Sequence, residues 1–190
     1  MKLKLLILFI LISLKGYSQL EPILYTEIDF NEKQADTISL KLDTILILGK
    51  GASVARIFLD DLTNKLIKEL NKEKIVASYV YLGNNSDEVK GKFKLIDKQK
   101  YKGILFVSPT DTATFDTKYS TSPSTAQGST NSSRITYQQT FKFQFYDVGK
   151  GMKVFWSALI DIDCDPSKKY AANRVSSKLL ARFKKNKYIQ

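Results

Sequence analysis

The most regular stretch of the chain alternates apolar and polar side chains. From Ile135 to Tyr146, Phe141, Phe143 and Phe145 fall on one face and Lys142, Gln144 and Tyr146 on the other. From Met152 to Cys164 the same period places Val154, Trp156, Ala158, Ile160, Ile162 and Cys164 together. A period of two belongs to a half-buried strand, and the intervening Asp147-Val148-Gly149-Lys150-Gly151 is turn chemistry, so the two runs predict a long antiparallel hairpin. Elsewhere the period lengthens. Between Ala52 and Leu70, Val54, Ala55, Phe58, Leu59, Leu62, Leu66 and Leu70 recur close to every 3.6 residues, which predicts an amphipathic helix. A second such helix is expected from about Ser167 to Lys187, with Ala172, Val175, Leu179 and Phe183 facing inward.

Shorter runs fill the gaps. Thr44 to Leu48, Lys74 to Leu82 and Tyr101 to Val107 are rich in β-branched and aromatic residues and are closed by Gly, Asn or Ser-Pro, as buried strands are. Ser86 is expected to cap a short helix from Asp87 to about Gln99, which Gly91 weakens. In the segment 19–43, Ile23-Leu24-Tyr25 and Ile38 to Leu42 predict two edge strands. The order of elements gives an α/β (α+β) domain in two layers: a mixed sheet with helices packed mainly on one face, and a C-terminal hairpin followed by an amphipathic helix. The outward Lys142, Gln144, Asp161 and Asp163 predict that the other face is partly wet.

The N-terminus follows a different logic. Lys2 and Lys4 precede Leu5 to Leu14, apolar except for Ser13, and Gly16 and Ser18 stand at the small-residue positions for cleavage after Ser18. That is the pattern of a secretory signal peptide over 1–18; a membrane span needs about 20 apolar residues. Gln19 stands where a lipoprotein has cysteine, so no lipid anchor is expected. The Ser-Gln junction resembles signal peptides of Gram-negative bacteria, which implies a mature chain in the periplasm or outside the cell. Residues 44–190 then form a single domain, with a flexible Ser/Thr-rich insertion at about 110–133 that cannot fill a core.

Composition narrows the chemistry. The 190 residues include no histidine and one cysteine, Cys164, which excludes serine-histidine and cysteine-histidine catalysis, histidine-bearing zinc sites and an internal disulfide. ATP and reduced nicotinamides belong to the cytoplasm, so no cofactor is expected. The net charge of +11 falls to +8 without Lys2, Lys4 and Lys15, and all of that remainder lies after Pro166, leaving the body of the chain neutral. Arg174, Lys178, Arg182 and Lys185 recur at helical spacing as a basic ridge. Such a ridge suits an anionic envelope surface or an acidic protein partner, and equally a solvated helix face whose last cations complement the dipole. Nucleic acid is not an expected partner, because Phe141, Phe143 and Phe145 alternate as a core face does.

Other candidates have plain structural accounts. Gly49-Lys50-Gly51-Ala52-Ser53 lacks the phosphate-loop spacing and reads as a tight turn with a helix cap. Asp161, Asp163 and Asp165 lie about 7 Å apart along a strand, too extended to surround calcium. Asp161 and Asp163 remain the pair on which a glycan hydrolase would rest. Asp60 and Asp61 read as solvated mid-helix residues. The Ser/Thr-rich loop, with Tyr119, Pro123, Gln127 and Asn131, is a candidate partner-contact arm.

The aromatic strand Phe141 to Tyr146, the turn Asp147 to Gly151, the strand opening Lys153-Val154-Phe155-Trp156 and the closing helix together resemble small envelope α/β domains of Gram-negative bacteria. The penicillin-binding-protein activator and curli secretion lipoproteins are examples. The resemblance spans roughly Thr44 to Ile189, with its sharp part near the hairpin, and implies action by binding rather than catalysis. It carries over no catalytic residue. The expected function is therefore a non-enzymatic, exported binding or accessory domain. The alternatives are the hydrolase and a subunit of an exported assembly joined through a strand edge.

Overall fold

The computed structural model describes residues 28–34, 41–110, 114–120, 132–163, 165 and 168–189. The leader, Ile23-Leu24-Tyr25, Ile38 to Leu40, Pro123, Gln127, Asn131 and Cys164 lie outside them. The fold is α/β. Strands β1 (Ile28–Gln34), β2 (Thr44–Lys50), β3 (Val76–Gly83), β4 (Gly103–Pro109), β6 (Ser132–Asp147) and β7 (Lys153–Ile162) form a mixed sheet in the order β1-β7-β6-β4-β2-β3, and β5 (Thr114–Ser120) pairs with the start of β6. The helices are α1 (Ser53–Lys72), α2 (Ser86–Leu95) and α3 (Lys169–Lys185), with a 3-10 turn at Lys98–Lys100.

Topology decides which helix covers which face. β3 and β4 both run parallel to β2 and flank it on opposite sides. Parallel crossovers are right-handed, so the successive connections through α1 and α2 fall on opposite faces of the sheet. Side-chain alternation along β2 shows the result. Ile45 and Ile47 enter the main core with α1 and α3, whereas Leu46 and Leu48 join Leu82 and Ile104 in a second cluster beneath α2. Phe141, Phe143 and Phe145 lie fully buried in the main core. Phe58 stacks 4.5 Å from Phe141, and Phe183 of α3 meets Trp156 edge-on at 5.5 Å. Each such side chain contributes about 1.5–3 kcal/mol by burial, which is what holds α1 and α3 to this face.

Several boundaries differ from the pattern, for local reasons. β1 occupies Ile28–Gln34, where Asp29, Asn31, Glu32 and Lys33 mask any strand signal; as an edge strand it needs only antiparallel pairing with β7. The segment expected to be a loop contributes β5 and the first residues of β6, since β-branched threonines suit an extended, paired backbone. Asn85, not Ser86, caps α2: its Oδ1 accepts the Glu88 N–H at 2.8 Å. The helix then stops at Leu95 because Ile96 is extended.

The hairpin also departs from strict alternation. Phe145 pairs with Trp156 but Tyr146 pairs with Val154, so Phe155 is the extra residue of a bulge. Phe155 therefore enters the main core beside Trp156, and Val154 is carried to the opposite face with Tyr146.

Candidate functional site

The second sheet face holds the candidate site. Leu48, Leu82, Ile104 and Phe106 form the floor of a cavity of about 280 Å³, Tyr146 and Met152 close one end, and Val89 and Phe93 of α2 form the roof. The lining is apolar apart from the tyrosine hydroxyl, and no carboxylate takes part. Small-molecule pockets run from about 300 Å³ upward, so this one suits a single aliphatic chain or a ring.

Local sequence explains the shape. Gly83 has φ of +108° and ends β3 so that α2 can turn back over the sheet; a Cβ there would lie 2.1 Å from the Glu88 carboxylate. No residue of α2 is buried, and Val89 and Phe93, four apart, are half-covered on its inner face. Lys92 anchors the helix by donating to the Tyr81 carbonyl at 3.3 Å and pairing with Glu88 at 2.8 Å. The Lys92 ammonium holds the exposed Glu88 carboxyl below its ordinary range. Across the pocket, Met152 has φ of +66°, a left-handed conformation that costs a residue with a Cβ about 1–2 kcal/mol, and its side chain lines the cavity. Burial raises the Tyr146 phenol above its ordinary value, as an apolar wall should.

Beyond α2 the same face is open to water. A groove of about 500 Å³ crosses β1, β7 and β6, lined by Asn31, Lys33, Lys142, Gln144, Ser157 and Leu159 together with Thr110 and Ala158. This is the wet face that the outward polar residues of the hairpin predicted.

The residues singled out from sequence lie elsewhere. Arg182 pairs with Glu32 of β1 at 2.8 Å, Lys178 stands over the Phe30 ring at 5.5 Å, and neighbouring Lys184 reaches Glu73 at 2.6 Å. These cations dock α3 on β1 and α1, while Arg174 and Lys185 are exposed on the same helix. Tyr119 lies in β5, its backbone opposite Ser133. Gly49-Lys50-Gly51 is the β2–α1 turn, tied to the next loop by a Gly51 N–H to Gly83 carbonyl bond of 3.1 Å, and the Tyr81 hydroxyl donates to the Gly51 carbonyl. Asp161 accepts the Thr140 hydroxyl at 2.5 Å, and Asp163 is exposed. Among the described residues, no three carboxylate, cysteine or histidine groups gather as a metal site would require.

The pocket itself escaped the sequence reading. The one available signal was the i, i+4 pair Val89 and Phe93 on a helix otherwise polar apart from Gly91 and the exposed Leu95; the contributions of Tyr146 and Met152 depend on the bulge and the turn.

No protein family and no curated protein matches the sequence. Among solved structures the chain is similar to PelC from Paraburkholderia phytofirmans, a dodecamer, at 10% identity over 86% of this chain and 99% of that one, with a TM-score of 0.44. It is similar to a minor lipoprotein from Acinetobacter baumannii at 11% identity over 75% and 93% of the two chains, TM-score 0.34. A neuraminyllactose-binding hemagglutinin homolog from Helicobacter pylori follows at 13% identity over 80% and 85%, TM-score 0.37. Likenesses this distant assign nothing to this chain.

Proposed function

We propose that this protein is an exported, non-enzymatic binding domain that takes a small apolar group into the cavity beneath α2. The observation that carries the reading is that cavity: eight side chains from α2, four strands and the hairpin turn converge on about 280 Å³ that the protein itself leaves unfilled. An apolar lining left open to solvent on one side lacks dispersion partners that an apolar group could supply. A roof made from a helix with no buried residue supports entry from solvent. The leader pattern and the missing histidine support export and binding without catalysis.

The uncharged fluorophore N-phenyl-1-naphthylamine tests this. Its emission is expected to rise saturably with one site per chain. Phe93→Asp, which puts a carboxylate into the roof at a half-exposed position, is expected to weaken binding at least tenfold without altering the circular dichroism. Linear, non-saturating emission, or equal affinity in the variant, overturns the reading.

A further inference from the structure

The apolar pocket and the polar groove are two halves of one surface. Leu48 on β2 is in register with Phe106 on β4, Phe106 with Gln144 on β6, Gln144 with Ser157 on β7, and Ser157 with Lys33 on β1. Residues in register share a face, so this row runs from the pocket floor to the groove without a break. Strands lie about 4.8 Å apart, which puts Lys33 about 14 Å from Phe106, the reach of a short chain and its head group. Lys142, two residues along β6 from Gln144, lies on the same face.

Charge separates the halves. The pocket lining has no ionised group, whereas the groove lining has two ammonium groups and no carboxylate, with Asn31, Gln144 and Ser157 as neutral hydrogen-bonding partners. The adjoining row on this face pairs Asp29 of β1 with Asp161 of β7, and the Asp161 carboxylate accepts the Thr140 hydroxyl. Resting on the pocket reading above, we infer that the ligand is a monomeric anionic amphiphile: its apolar tail lies under α2 and its anionic head lies between Lys33 and Lys142. Two cations facing an open groove favour an anion, and amide and hydroxyl groups between them complete its hydrogen bonding.

Calorimetric titration of the purified protein with decyl phosphate, 1-decanol and decyltrimethylammonium separates the two claims. Decyl phosphate is expected to bind at least tenfold more tightly than decanol, and the cationic amphiphile most weakly. The double substitution Lys33→Gln and Lys142→Gln is expected to bring decyl phosphate within about twofold of decanol and to leave decanol unchanged. Equal affinities for the three heads, or a double variant that still prefers the phosphate, overturns the anionic-head inference and leaves the pocket standing. Failure of all three to bind removes the pocket reading as well. Lysine-dependent capture by phosphatidylglycerol vesicles without binding of monomeric decyl phosphate shows a membrane-docking face and also overturns it.

Discussion

Tyr79 illustrates how far single residues are tuned by this packing. Its hydroxyl approaches the position a Gly49 side chain would occupy, to 3.1 Å, and burial first, then the Asp60 carboxylate, raises its pKa well above the ordinary value. Burial also leads the upward shifts of Tyr81, Tyr146 and Tyr188. The sign follows from proton binding. Above about pH 10 the unfolded chain loses phenolic protons that the native state keeps, so stability is intact below that pH and falls as pH rises toward the native values. Urea unfolding between pH 9 and 12 should show this decline, and Tyr79→Phe should flatten it; parallel curves would show that Tyr79 titrates alike in both states. Residue-scale features are also where the alternation pattern misled. Val154 and Phe155 exchange faces through one bulge, and a bulge leaves no mark on a period of two.

At the scale of elements, α2 is the most lightly packed of the three α-helices, with no buried residue. It is held by the Asn85 cap, the Lys92 tether and two half-covered apolar side chains, and Gly91 in its middle has open space where a Cβ would sit. Gly91→Ala should stabilise the helix by about 0.5–1 kcal/mol, which slows hydrogen exchange of α2 amides about two- to fivefold. Unchanged exchange would mean that α2 opens only with the whole domain. The elements legible in the sequence were those with a strong apolar period and a definite stop: α1, α3, β2, β3, β4 and the hairpin. β1 and β5 were not legible as strands. Backbone pairing of β1 to β7 and of β5 to β6 carries no compositional signature. α2 was legible as a helix, but not as a roof, because Val89 and Phe93 make too short a stripe to distinguish a covered pocket from a surface helix.

For the whole molecule, the main asymmetry is between the two sheet faces. α1 and α3 seal one with an aromatic core, and α2 covers only the β2, β3 and β4 end of the other. Topology imposes this, since β3 and β4 lie on either side of β2 and force successive helices to opposite faces. The fold class and the wet face followed from the order of elements and the outward polar residues. The pocket did not, because it needs five segments distant in sequence to meet. The basic C-terminal helix α3, the strongest charge feature in the sequence, pairs Arg182 with Glu32 of β1 and Lys184 with Glu73 after α1, on top of its apolar packing. The central claim is that binding occurs beneath α2 and not along α3. Carbon-13 methyl spectra recorded during titration with N-phenyl-1-naphthylamine test it most directly. The account predicts shifts confined to Leu48, Leu82, Val89, Ile104 and Met152; shifts centred on Val175 and Leu179 of α3 would contradict it.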